Sequence, residues 1–266
     1  SCHENGVILI WDIGSGEILL KITDPNGRNV TKATFADDAN YIISNYEDRT
    51  FCIHNLINNE FNNTLKGHTK RVWDASFISN DKEIISVSED HTIRIWDKSL
   101  NENIYKLSHP WISGQCVQYI EKDSIVLFDT DTGVSFFDLK DRYDSLFIHD
   151  FCELDNYIFD IEISHDKKSI IVVSDENRFR LYDYKSKKLI NTFDQYSSWV
   201  HSAIFSPNDD YIISTSQDAI GFVTSSSDFK SRLNFVNFYE GNWIIKLSNS
   251  PYYMCSKDAS KMLHYV

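Results

Sequence analysis

Residues 67–97 read GHTKRVWDASFISNDKEIISVSEDHTIRIWD, and they carry the clearest strand pattern of the chain. It contains three short runs in which apolar residues occupy every second position, at 72–77, 83–87 and 92–96. Polar breaks of hairpin length separate the runs. Because successive side chains of a strand point to opposite faces, the pattern predicts an antiparallel meander of three strands.

The same layout recurs along the whole chain at intervals of 40 to 45 residues. The residue in the turn before each third strand is Asn5, Asp48, Asp90, Asp131, Glu176, Asp218 and Asp258. Six residues further on lie Trp11, His54, Trp96, Phe137, Tyr182, Thr224 and His264. A continuous period of this length is typical of four-stranded repeats, so the sequence predicts one repeat domain over residues 1–266.

The quoted stretch resembles a WD40 repeat in its Gly-His opening at 67–68, its Asp90 turn and its Trp-Asp close at 96–97. The resemblance implies an all-β, seven-bladed WD40 β-propeller with four-stranded antiparallel blades. The sequence pattern supplies two strands, then five blades of four, then three strands over residues 242–266. We therefore expect an N-terminal truncation of roughly 30 residues, the first blade lacking two strands and the last lacking its outer strand.

Charge and cysteine content narrow the classes of partner and compartment. The net charge of -13 disfavours nucleic acid and anionic membranes as partners. No apolar run approaches the ~18 residues of a membrane-spanning helix. The five cysteines are odd in number and contain no Cys-x-x-Cys pair, which favours reduced thiols in the cytoplasm or nucleus.

Candidate catalytic residues are few, and we expect no enzyme and no cofactor. No histidine pair has the spacing of a metal site, and no Gly-rich phosphate loop occurs. A histidine, a serine and an aspartate in one repeat could suggest a nucleophilic triad. In the WD40 family these positions instead form a structural hydrogen-bonded network with the tryptophan. The matching residues here are His68, Ser86, Asp90 and Trp96.

WD40 proteins mostly bind partner proteins or peptides at the top face, where each first strand begins and each second-to-third turn lies. The family's contact positions flank the first-strand valine or precede the turn residue. The flanking pairs map to Asn29 and Thr31, Arg71 and Trp73, Tyr157 and Phe159, Trp199 and His201, and Gly241 and Trp243. The positions before the turn map to Glu4, Glu47, Glu89, Thr130, Asp175, Gln217 and Lys257.

Aromatic residues surrounded by carboxylates suit a Lys- or Arg-rich ligand. We therefore predict a non-catalytic scaffold, part of a multiprotein complex, that binds a basic peptide or protein segment at its top face. The alternative for the site is that Trp73, Phe159 and Trp243 are core residues, with acids that only follow the overall charge. The alternative for the protein is a C-terminal regulatory propeller of a larger signalling NTPase or kinase.

Overall fold

The computed structural model describes residues 1–3, 5–12, 14–36, 38–141, 149–153, 157–237, 243–248, 250 and 253–256. The chain divides into two compact units, residues 1–155 and 156–266. Both are built from small antiparallel sheets of consecutive strands, the arrangement of propeller blades. The single repeat domain expected from the period stays a prediction.

The first unit contains an N-terminal hairpin and three four-stranded blades. The hairpin consists of β1 (Val7–Trp11) and β2 (Ile18–Thr23). Blade 1 consists of β3 (Val30–Phe35), β4 (Tyr41–Tyr46), β5 (Phe51–Asn55) and β6 (Glu60–Leu65). Blade 2 consists of β7 (Val72–Ile78), β8 (Glu83–Ser88), β9 (Thr92–Asp97) and β10 (Glu102–Ser108). Blade 3 consists of β11 (Ile112–Ile120), β12 (Ile125–Thr130), β13 (Gly133–Asp138) and β14 (His149–Glu153), with a 3-10 turn at Leu139–Asp141.

The second unit contains two blades, the second of which has six strands. Blade 4 consists of β15 (Ile158–Ile163), β16 (Ser169–Ser174), β17 (Phe179–Asp183) and β18 (Leu189–Phe193). Blade 5 consists of β19 (Val200–Phe205), β20 (Tyr211–Ser216), β21 (Ile220–Ser225), β22 (Ser231–Asn237), β23 (Trp243–Leu247) and β24 (Tyr253–Cys255).

The second strand of four blades, β4, β8, β12 and β16, is buried on both faces. Each shows the same pattern, a half-buried first residue followed by five buried residues. In the first unit, side chains of blade 2 such as Ile85 and Ile93 pack against Val117 and Phe128 of blade 3. The apolar core therefore lies between neighbouring blades, as expected where sheets stack face to face.

The count of seven blades is not confirmed, because the residues that the structure describes form five. Residues 242–266 were expected to begin a separate blade at Trp243. Instead β23 pairs antiparallel with β22, with Leu233 opposite Leu247, and β24 pairs with β23. An alternating apolar pattern specifies which residues face the core, but it does not specify which neighbouring strand provides the hydrogen bonds.

The N-terminal residues carry more of the first repeat than the sequence led us to expect. Cys2 forms an antiparallel bridge with Ile8, and the Ser1 and Leu9 backbones exchange hydrogen bonds of 2.8 and 2.9 Å. The Trp11 indole donates to Ser1 Oγ at 3.1 Å. Residues 1–3 therefore pair with β1 through one isolated bridge, at the place of the second strand that was predicted to be absent.

Candidate partner-binding surface

One backbone hydrogen bond recurs at the same place in four blades. The residue that follows the second strand donates its N–H to the carbonyl of the residue that precedes the first strand. The pairs are Glu89 to Arg71 at 3.1 Å, Asp131 to Trp111 at 3.0 Å, Asp175 to Tyr157 at 2.9 Å and Gln217 to Trp199 at 2.9 Å. This bond places the two kinds of predicted contact residue side by side. We call three residues of a blade its rim positions. They are the residue that precedes the first strand, the residue that follows the second strand, and the bulge residue of the first strand, which is described below.

The second residue lies at a β-bulge in four of the five predicted flanking pairs. In blade 2, Val72 is opposite Ser88 and Asp74 is opposite Val87, so Trp73 has no partner residue in the ladder. The same single-residue skip occurs in blades 1, 4 and 5, at Thr31, Phe159 and His201. A bulge bends the strand and re-aims its side chain. Strand alternation alone therefore does not decide which way these residues point.

In the first unit, Arg71, Trp73 and Glu89 form one connected group. The Arg71 guanidinium carbon lies 3.8 Å from the centre of the Trp73 ring. The Trp73 indole N–H donates to Glu89 Oε1 at 2.9 Å. In blade 1, the Asn29 amide donates to Glu47 Oε2 at 3.1 Å. Two of the predicted rim acids are therefore already hydrogen-bonded by neighbouring rim side chains.

In the second unit, Tyr157, Phe159, Trp199 and His201 form what we call the aromatic patch. The Phe159 ring centroid lies 6.1 Å from that of Trp199 and 6.4 Å from that of His201. Phe159 packs on the core of its unit, whereas Tyr157 is 61% and Trp199 48% exposed. The patch is thus a core-anchored ring flanked by two large aromatic residues that face solvent.

The sequence analysis did not assign two residues of blade 3 to the rim, although the structure places them there. Trp111 is 61% exposed, and Asp131 accepts a hydrogen bond from Ser113 Oγ at 2.9 Å. The repeat spacing placed Thr130 before the turn, but Thr130 ends β12 opposite Gly133. The hairpin here has two loop residues instead of the three of blade 2, which shifts the register by one. Trp111 lies 40 residues after Arg71, so the repeat period would have identified it as the counterpart of Arg71 in blade 3.

In the last predicted blade, none of the residues that the structure describes occupies a rim position. Trp243 is half-buried in β23, where it is opposite Asn237 of β22. Glu4, Gly241, Lys257 and the turn residue Asp258 lie outside the described residues.

The sequence of the chain agrees with this repeat geometry. The family model for the WD domain, G-beta repeat, matches residues 59–97 and 187–220. These two matches, together with the antiparallel blades, support a WD40 repeat family. The first match ends with β9 of blade 2, and the second runs from the start of β18 to the start of β21. No curated protein sequence matches the chain.

The WD40 residues His68, Ser86, Asp90 and Trp96 are joined by hydrogen bonds in blade 2. The His68 ring bonds Asp90 Oδ2 through Nδ1 at 3.0 Å and Ser86 Oγ through Nε2 at 2.8 Å. The Trp96 indole N–H donates to the same Ser86 oxygen at 2.8 Å. Ser86 is 0% exposed, so a substrate has no path to this hydroxyl. The geometry suits a structural network and does not suit a nucleophile.

The environment fixes the charges of this network. Burial lowers the pKa of His68. Burial acts to raise the pKa of Asp90, but hydrogen bonds from His68, Thr92 and Thr69 outweigh it and hold that pKa well below its usual range. Asp90 is therefore a carboxylate at neutral pH, with its lone pairs used by donors within the blade.

Blade 5 uses a substitute for the histidine of this network that the sequence analysis did not identify. The Tyr196 hydroxyl bonds Ser214 Oγ in blade 5, and Tyr196 precedes Asp218 by the same 22 residues that separate His68 from Asp90. A tyrosine is longer than a histidine but also ends in a group that can bond a serine hydroxyl. Spacing from the turn aspartate would have identified it.

A buried carboxylate lies beneath the rim of blade 3. Asp129 is fully buried and accepts hydrogen bonds from the backbone N–H groups of Gln115 and Cys116 at 2.9 and 3.0 Å. Burial raises its pKa to about 6, and nearby Asp74 acts in the same direction. Asp74 is itself paired with Lys32 of blade 1 at 2.8 Å.

Asp129 should make stability depend on pH. Its pKa rises from about 3.9 when unfolded to about 6 when folded. The folded state therefore holds this proton more tightly, and the contribution to stability is present below about pH 4 and is lost as pH rises through about 6. Relative to Asp129→Asn, we expect the wild type to lose about 1 kcal/mol between about pH 5 and about pH 7.5. Urea unfolding of both proteins at each pH measures this. A difference that stays constant with pH would contradict it.

Neither metal-binding nor membrane-spanning features were found in the described part of the chain. There, no three His, Cys, Asp or Glu side chains are grouped so as to hold a metal ion. No described helix is long and apolar enough to cross a bilayer.

Proposed function

We propose that this WD40 protein is a non-catalytic module that binds a segment of a partner protein at its rim positions. WD40 propellers generally serve as scaffolds for protein interaction. The observation that carries the proposal is the aromatic patch of the second unit, where Tyr157 and Trp199 lie exposed beside the core-anchored Phe159. Exposed tryptophan and tyrosine supply large, rigid contact area and often dominate interface energy.

A Lys- or Arg-rich segment is the partner chemistry that this patch favours. Cations are attracted to the faces of Trp and Tyr rings. Asp175 donates its backbone N–H to the Tyr157 carbonyl, so an acidic residue lies next to an aromatic residue of the patch in the fold. The net charge of -13 adds long-range attraction for a basic ligand.

The partner complex forms in a reducing compartment under this proposal. All five cysteines are free thiols, and Cys52 and Cys116 are buried. This supports the cytoplasm or nucleus as its location, because free thiols persist under the reducing conditions there. Partners at the rim and elsewhere would make the protein one subunit of a multiprotein complex.

Substitution of Trp199 tests the proposal. We expect Trp199→Ala to weaken binding of a fluorescent Lys/Arg-rich peptide about tenfold, since a large exposed anchor is lost. Tyr211→Ala is the matched control, because Tyr211 is 41% exposed and begins β20 at the opposite end of the same blade. Fluorescence anisotropy measures both affinities. Equal affinities of the two variants, or equal binding of a Gln-rich peptide, would count against the proposal.

A further inference from the structure

We infer that Arg71 is a subsite for an anionic group on an acidic peptide segment of a partner protein. The site lies in the first unit and does not depend on whether the aromatic patch of the second unit binds anything. It also has the opposite charge preference to that patch. The ligand group is a carboxylate or a phosphorylated side chain, both of which match the guanidinium fork.

The donors of Arg71 are unused. A guanidinium carries five N–H donors and no acceptor. Arg71 Nε is buried and has no hydrogen-bond partner among the described residues. Its two terminal nitrogens make no hydrogen bond to that part of the chain either, and they are absent from its buried unpartnered atoms, so they reach solvent. An anion at this end of the side chain would supply the missing acceptor.

The position of the guanidinium is already set. It lies 3.8 Å above the Trp73 ring, whose indole N–H is held by Glu89 Oε1 at 2.9 Å. Glu89 in turn donates its backbone N–H to the Arg71 carbonyl at 3.1 Å. A side chain fixed in this way loses little conformational entropy on binding, which favours affinity.

The charges next to Arg71 favour an anion. Lys70 is its exposed chain neighbour, and the Arg49 guanidinium donates to the carbonyl of Thr69 at 3.3 Å. Glu89 is the acid of this group, and one of its carboxylate oxygens is already used by Trp73. A second acid, Asp90, lies close by, because its Oδ2 accepts the Thr69 backbone N–H at 2.9 Å, and His68 and Thr92 also donate to this carboxylate. Arg49, Lys70 and Arg71 therefore bring three cations to this part of the rim, next to two acids that already accept hydrogen bonds within the protein.

Charge-altering variants of the full chain test the inference with three fluorescent peptides of equal length. One peptide is Glu-rich, the second carries phosphoserine and the third is Gln-rich. We expect Arg71→Gln to weaken acidic-peptide binding about tenfold and Arg71→Lys to weaken it less, because lysine keeps the charge but loses the fork. Arg232→Gln is the control, since Arg232 is a partly exposed arginine paired with Asp228, and it should change affinity less than about twofold.

The outcomes separate the two anion sources. Tighter binding of the phosphoserine peptide, with competition by inorganic phosphate, assigns the subsite to phosphate. Tighter binding of the Glu-rich peptide assigns it to a carboxylate. The inference is overturned if neither acidic peptide binds better than the Gln-rich one, or if Arg71→Gln and Arg232→Gln have equal affinities. Circular dichroism of each variant establishes that it is folded.

Discussion

Gly114→Ala is expected to lower the free energy of unfolding by about 4 kcal/mol, from backbone strain together with a steric clash. Gly114 has φ of +76°, in the left-handed region that side chains disfavour. A Cβ atom here would lie 2.1 Å from the carbonyl oxygen of Ser88. The obstacle is backbone of β8, a buried strand of blade 2, so it has little freedom to move. Urea denaturation followed by fluorescence measures the loss.

Gly27→Ala separates the two causes. Gly27 has φ of +63°, but a Cβ atom there would meet nothing within 4 Å. It therefore shares the backbone strain without the clash, and we expect a cost of about 1 kcal/mol. A loss for Gly114→Ala no greater than that for Gly27→Ala would show that blades 2 and 3 are not packed as closely as the structure has them.

Asp90→Ala is expected to lower the free energy of unfolding by about 3 kcal/mol, because several buried donors lose their acceptor. The carboxylate accepts from His68 Nδ1 at 3.0 Å, Thr69 N at 2.9 Å, Thr92 N at 3.1 Å and the Thr92 hydroxyl. Because His68 is buried, water cannot readily replace the carboxylate as the hydrogen-bond partner of its ring nitrogen. Thermal denaturation measures the effect as a fall in melting temperature.

Asp131→Ala provides the comparison at a second aspartate beside a hairpin turn. Asp131 is exposed and accepts a hydrogen bond from the hydroxyl of Ser113 at 2.9 Å. Water can replace it, so we expect a loss below about 1 kcal/mol. Equal falls in melting temperature for Asp90→Ala and Asp131→Ala would contradict the role assigned to the network.

Much of the local structure could be predicted from the sequence, because it depends on patterns that are local. Alternating apolar residues give the strands of blade 2, and the six turn residues from Asn5 to Asp218 each precede a third strand. The pairing of β23 with β22 could not be predicted in this way. Any strand with a suitable face can add to any free sheet edge. The alternating pattern of apolar residues does not specify which edge a strand joins.

In blades 2, 4 and 5 the sequence indicated which residues lie where the strands begin and end, but not what their side chains contact. The recurring bulges at Trp73, Phe159 and His201 leave no mark in an alternating pattern, yet they decide where these side chains point. The carboxylate of Glu89 counted toward an acidic surface, but the structure bonds it to the Trp73 indole, while Arg71 keeps unused donors. Such pairings depend on distances across a blade, which spacing along the chain does not encode.

Photo-crosslinking from the aromatic patch tests the central claim most directly. A photoreactive amino acid is placed at position 199 in one protein and at position 211 in another, and both are irradiated in cells. We predict crosslinks to a Lys- or Arg-rich segment of a partner from position 199 and none to that segment from position 211. Equal crosslinking from both positions, or crosslinks from position 211 alone, would contradict a binding site at the rim.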